Sequence, residues 1–315
     1  MRELLRTETT IPFMRVRIPA LIISSILVIA SIFSLAVNQL NWGLDFTGGT
    51  VIELGYDQTA DLSAIRQTLD ADGFGDAIVQ NFGTQQDVLI RLEPREGVKA
   101  EDLGNQILAS LQASTDDSIE MRRIEFVGPN VGDELKEQGG LAMLTALICI
   151  LAYIAFRFEW RLAVGAVGAL AHDVIITLGL FSFLKLEFDL TVLAALLAVI
   201  GYSINDTVVV CDRIRENFLK FRKGESEEII DMAITDTMSR TVITSLTTVL
   251  VLLALFFLGG ALIHGFATAL LFGVFIGTYS SIFIASSVAL MLGVSREDLM
   301  PPQVEKEGED LDPLP

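Results

Sequence analysis

Six stretches of this sequence are apolar for about the length a helix needs to cross a lipid bilayer: residues 18–37, 139–156, 162–184, 190–211, 242–260 and 265–292. A hydrocarbon core of about 30 Å takes roughly 20 helical residues. Backbone polar groups have no water to bond there, so each run must satisfy its own as a helix. The expectation is a polytopic α-helical membrane protein with six transmembrane helices. The first run follows Arg15 and Arg17, is too long for a secretory h-region and has no A-x-A-like site after it, so it reads as a retained span.

Lysine and arginine in the short loops give the orientation. Residues 1–17 carry four arginines, the turn 156–161 carries two, and the segment 212–240 carries six basic residues. The opposite side offers only Lys185, and nothing between 260 and 264. This predicts a cytoplasmic N-terminus over 1–17, a first span over 18–37, an outward-facing domain over 38–138, five further spans within 139–292, and a cytoplasmic tail over 293–315. The segment 212–240 is expected as a cytoplasmic loop. Within it, 225–238 reads as an amphipathic helix on the membrane surface, with Ile229, Ile230, Ala233 and Ile234 as its apolar stripe.

Residues 38–138 alternate strand and helix signals. Thr50–Tyr56 is β-branched and apolar, and Asp61 opens a helix carrying Leu62, Ile65 and Leu69 that ends near Gly73. Two strands, 77–82 and 87–92, flank a four-residue turn, 83–86. A second helix over 101–111 and a strand over 118–127 complete β-α-β-β-α-β, the order of a small α+β ferredoxin-like domain.

The net charge is −18, of which the 38–138 domain holds −12 and residues 296–315 hold −5. That balance argues against nucleic acid as a partner, and the tail 305–315, acidic and proline-containing, is expected to be disordered. Cys149 and Cys211 lie in apolar runs and are expected as buried free thiols. No metal or cofactor motif is present, and no covalent chemistry is expected.

Ionisable side chains inside a bilayer cost roughly 2.5–3.5 kcal/mol near mid-helix, so those present are candidate functional groups. His172 and Asp173 lie in the third span and Asp206, beside Asn205, in the fourth. Arg240 opens the fifth span, with Thr244, Thr247 and Thr248 on its face at helical spacing. A carboxylate alternating between an apolar setting and an opposing arginine can take up and release a proton. Asp206, Arg240, Asn205, Asp173, Thr244 and Thr248 are therefore the candidate proton relay. His264 is expected at the outer interface. In the sixth span Gly265, Ala269, Gly273, Gly277, Ser281, Ala285 and Ala289 recur every four residues, a row that lets another helix pack closely, in this chain or another.

The run Asn41–Thr50 (NWGLDFTGGT) strongly resembles a signature of the SecD/SecF family of bacterial protein-export membrane proteins. RIEFVGP at 123–129, FRFEWRL at 156–162, AHDVIITLG at 171–179, GYSINDTVVVCDRIREN at 201–217 and EKEG at 305–308 are similar to it too, in family order. The resemblance implies half of an RND-type transporter, completed by SecD and associated with SecYEG and YajC. It also implies use of the proton-motive force to promote late translocation of a preprotein, after SecA and ATP have driven earlier steps. The family's important intramembrane aspartate and arginine fall on Asp206 and Arg240.

Three other readings stay open. An intramembrane aspartyl protease would use Asp173 and Asp206, but Asp206 sits in SIND without the G-x-G-D setting. An RND-like exporter half and a purely structural assembly subunit are the other two.

Overall fold

The computed structural model describes residues 10–94, 99–115, 117–221 and 224–299. The expectations for the tail 305–315, including EKEG, and for the first nine residues lie outside them.

Helix α1 (Arg17–Asn38) is preceded by a short 3-10 turn, Phe13–Val16. Strand β1 (Asn41–Trp42) and helix α2 (Leu44–Thr47) lead into the α+β domain. This comprises β2 (Gly49–Tyr56), α3 (Leu62–Ala71), β3 (Ile78–Phe82), β4 (Thr84–Leu92), α4 (Ala100–Ser114) and β5 (Ile119–Val127). The sheet order is β3-β4-β2-β5, with every neighbouring pair antiparallel. The sheet thus has the ferredoxin-like arrangement. Asp61 caps α3 by accepting from Ser63 N and Ala64 N, which satisfies two of the orphan amides of the first turn. The alternating residues Ile52, Leu54 and Tyr56 of β2 meet Ile65, Leu69, Ile107 and Leu111 of the two helices in one core. The turn between β3 and β4 is shorter than expected. Gly83, at φ +79°, reverses the chain alone, so β4 begins at Thr84.

Helices α5 (Pro129–Arg157), α6 (Trp160–Leu184), α7 (Leu190–Lys220), α8 (Ser226–Leu258) and α9 (Ala261–Ser280) follow. Strand β6 (Glu187–Phe188) lies between α6 and α7 and pairs with β1 in parallel. A π turn at Ser281–Ala285 carries α9 into α10 (Ser286–Met291), and α11 (Arg296–Leu299) comes last. Among the described residues six helices are long and apolar enough to cross a membrane. About half of the apolar stretch of α6, α7 and α9–α10 is buried, against 11–17% for α1, α5 and α8. The first three are the centre of the bundle and the others its flanks.

Three helices run past their apolar windows, and the expected loop over 212–240 is mostly helical: α7 continues to Lys220, nine residues beyond its apolar run. Helix α5 starts at Pro129, ten residues before its apolar run, because hydropathy marks where a helix leaves water and says nothing of where it begins. Helix α8 starts at Ser226, so the amphipathic segment is not a separate surface helix. It is the first three turns of the fifth span, and Ile229, Ile230, Ala233 and Ile234 pack on Val210, Cys211, Ile214 and Phe218. Cys211 is buried, but Cys149 is exposed on α5. A residue in a flanking span can be apolar because it faces lipid, without being buried in protein.

Candidate functional site

Asp189 caps α7 by accepting from Val192 N at 2.8 Å. The helix then runs unbroken to Asp206, sixteen residues beyond Leu190, or about 24 Å at 1.5 Å per residue. Asp206 faces the interior and is 7% exposed. Its Oδ1 accepts from Thr241 Oγ1 of α8 at 2.6 Å, and its Oδ2 accepts from Ser281 Oγ at 2.5 Å. One carboxylate therefore ties together the fourth, fifth and sixth spans.

Asp173 on α6 is fully buried. Its Oδ1 lies 2.9 Å from His172 Nδ1, and its Oδ2 accepts from Ser203 Oγ of α7 at 2.5 Å and Ser280 Oγ of α9 at 2.7 Å. The His172 ring stacks on Tyr279, whose hydroxyl donates to Ala20 O of α1. A third polar thread joins Tyr202 to Ser245 at 3.0 Å and Ser245 to Thr278 at 2.8 Å.

The row of small residues on α9 explains how these short side chains reach. Its partner is α7 of this same chain. A Cβ on Gly273 would meet Val199, one on Gly277 would lie 3.1 Å from Ser203 Cβ, and one on Gly265 would lie 3.1 Å from Val192. Ala269 continues the row, buried against the cluster of Val192 and Ala195. Only such close backbones let serine, with one carbon before its hydroxyl, bridge two helices.

Matches to known proteins agree with this architecture. The model of the protein export membrane protein SecD/SecF C-terminal region matches residues 107–295, and the SecD/SecF GG motif matches residues 33–60. The protein translocase subunit SecF of Vibrio alginolyticus is 62% identical over the full length of both chains. The chain belongs to the SecD/SecF family. Its relative of the same name in Escherichia coli O157:H7 is 50% identical over 95% of this chain and 93% of that one. Among solved structures, SecDF of Thermus thermophilus matches with a TM-score of 0.83 at 36% identity over 92% of this chain. SecDF in a super-membrane-facing form matches at 0.64, also at 36% identity, over 91% of this chain. This family member spans 39% of the length of either SecDF chain. It is a multi-pass membrane protein.

Of the residues expected in the relay, the structure gathers Asp206 and Asp173 into the polar centre and leaves others at its edge. Arg240 is exposed, and its guanidinium makes no hydrogen bond or ion pair among the described residues. Thr244 donates to the carbonyls of Arg240 and Thr241, and Thr248 donates to that of Thr244. Their hydroxyls are thus turned onto their own helix. Asn205 is exposed beside Asp206. His264 is exposed and lies against Phe256 at 4.1 Å.

Sequence reasoning missed Thr241, Ser203 and Ser280 as carboxylate partners, and took Ser281 only for a small residue. A serine pair one turn beyond Gly277 was the available signal, since a hydroxyl on a close-packed face must find an acceptor.

Proposed function

We propose that the chain is the SecF subunit of a bacterial protein translocase. With SecD it uses the proton-motive force to promote late translocation and release of secretory preproteins across the cytoplasmic membrane. Residues 38–138 face the periplasm, both termini face the cytoplasm, and SecYEG and YajC are associated partners. The basic residues at the termini end of the bundle (Arg15, Arg17, Arg157, Arg161, Arg213) support that orientation.

The observation that carries the reading is the setting of Asp206, a buried carboxylate whose hydrogen-bond partners among the described residues are hydroxyls of two neighbouring helices. A hydroxyl can donate to a carboxylate or accept from a carboxylic acid, so the site accommodates both protonation states with different bonds. Arg240 and Thr241 are consecutive on α8. A movement of α7 relative to α8 that amounts to about 100° around the α8 axis exchanges a hydroxyl for a guanidinium at Asp206. Protonation then sets which face of α8 the carboxylate prefers. One charge crossing the membrane potential is worth about 2.3 kcal/mol per 100 mV, ample to bias such a movement. The two SecDF forms match this chain at equal identity but at TM-scores of 0.83 and 0.64, which supports a fold that rearranges.

Inverted membrane vesicles carrying the complex test the reading. Asp206→Asn is expected to abolish proton-motive-force-dependent proton uptake and the matching stimulation of export. Wild-type values for both would sink it.

A further inference from the structure

Any work done at Asp206 must reach the α+β domain to act on a polypeptide, and the chain segment 42–49 is built for that transfer. On one side it is fastened to the first turn of α7. Gly43 N donates to Phe188 O at 2.9 Å, and Asn41 and Trp42 pair in register with Glu187 and Phe188. Asp45 Oδ2 accepts from Leu190 N at 3.0 Å. It thereby caps α7 from outside the helix, where the helix dipole favours a negative charge. Phe46 is buried between Phe181, Phe188, Val192 and Leu193.

On its other side the same segment is fastened to the sheet. Arg91 of β4 donates to Trp42 O at 2.8 Å and to Thr47 Oγ1. Gly48 and Gly49 have φ of +67° and +121°, and a Cβ on Gly49 would run into the carbonyl oxygen of Leu92. A Cβ on Gly48 would lie 3.1 Å from Pro129 Cα, where β5 gives way to α5. The glycine pair therefore turns the chain into β2 where no side chain fits, and the segment has no slack at either end.

We propose that this segment, with Asp45 as its key positioning residue, is the rigid link that carries movement of α7 to the α+β domain. The inference rests on the proton-driven reading of Asp206 and names how that site is coupled. Asp45 touches neither the proton nor the polypeptide. It fixes the domain to the helix that bears Asp206, about 24 Å away along one unbroken axis. A stiff helix passes a tilt or shift to its first turn, and the domain follows only while that turn is held.

The test uses the full chain with its SecD partner in inverted vesicles, in a background with Cys149 and Cys211 replaced by alanine. Proton uptake and stimulated export are read separately. Asp45→Ala is expected to keep uptake within about 2-fold of the parent while stimulated export falls about 10-fold. Adding Asn41→Cys and Glu187→Cys, which face each other in the β1–β6 pair, supplies a covalent substitute for the cap. Oxidation should return export to near the parent level and reduction should remove it again. Parent-level export in Asp45→Ala overturns the proposal, as does a joint loss of uptake and export, failure of the oxidised pair to rescue, or a block of export by the oxidised pair when Asp45 is intact. Asp206→Asn with parent-level uptake would defeat the proton reading instead, and the link would still be judged by export with and without the crosslink.

Discussion

Ser280 and Ser281 are adjacent in the chain, yet they donate to different buried carboxylates. Ser280 serves Asp173 and Ser281 serves Asp206. Neighbours on a helix point about 100° apart, so one dipeptide can address both the third and the fourth span. A π turn begins at this point, a feature that often marks functional sites. The two helices that carry the buried carboxyl groups are thereby referenced to a single place on the sixth.

This geometry predicts a specific pattern of non-additivity. Ser280→Ala and Ser281→Ala should each cost about 1–3 kcal/mol, the penalty of leaving a buried acceptor without its donor. Ser280→Ala combined with Asp173→Ala should cost clearly less than the sum, since either change removes the same bond, whereas with Asp206→Ala it should be additive. Ser281→Ala should show the reverse pairing. Chemical unfolding of the purified chain in detergent measures all four combinations. Equal coupling to both aspartates would contradict the split.

The close approach of α9 to α7 can be tested by size alone. Gly273→Leu places a side chain where Val199 already lies and should destabilise by about 1–3 kcal/mol, the usual cost of overpacking. Gly140→Ala on α5, with open space at the same position, should be neutral or stabilising by up to about 1 kcal/mol. Thermal shift in detergent compares them. A milder effect at Gly273 than at Gly140 would mean that the helices are not in contact there.

The number of spans and the order of elements were legible because bilayer thickness and strand and helix periods act directly on residue order. Six spans, the β-α-β-β-α-β order and the Asp61 cap all follow from it. The true starts of α5 and α8 were not legible, because the helical backbone continues through water while hydropathy reports only solvent. Within the site, Asp173 and Asp206 stood out by their cost in lipid. Their partners did not, since which serine or threonine faces a carboxylate depends on helix azimuth. Thr241 and Thr244 differ by three residues and both look eligible, but only Thr241 faces Asp206.

At the junction beside α7, Glu187 gives a pH dependence with a definite sign. Burial pushes its carboxyl above the ordinary range, opposed by Arg91 and a hydrogen bond from the Leu44 backbone and reinforced by Asp189 and Asp45. A carboxyl with a raised folded-state pKa holds its proton more tightly in the fold. Its contribution is complete below the ordinary value of 4.5 and is lost as pH rises through the raised one. Glu187→Gln, which never ionises, should therefore gain stability relative to the parent as pH rises from 4.5 through that window. Melting temperatures of both proteins across pH 4–8 read the difference. A gap that is constant, or that closes on going up, would show that Arg91 and the Leu44 amide together outweigh burial.

At the termini end, the 3-10 turn is strapped across the first turns of α8. Asp231 Oδ1 accepts from Met14 N at 2.8 Å, Thr235 Oγ1 accepts from Ile11 N at 3.1 Å, and Arg17 pairs with Glu227. The three attachments are unequal. Asp231 is 8% exposed, and Met14, whose amide it holds, is buried in the main core of the bundle. The Arg17–Glu227 pair is partly exposed, and such pairs are worth about 0–1 kcal/mol. Asp231→Ala should thus cost about 1–3 kcal/mol by leaving a buried amide unbonded. It should also open Arg15 and Arg17 to trypsin, with the cut appearing several-fold faster than in the parent. Glu227→Gln should leave the cutting rate within about 2-fold, because the buried bond still holds the turn. If Glu227→Gln released the segment as readily as Asp231→Ala, the exposed pair would be the real fastening and the buried one incidental.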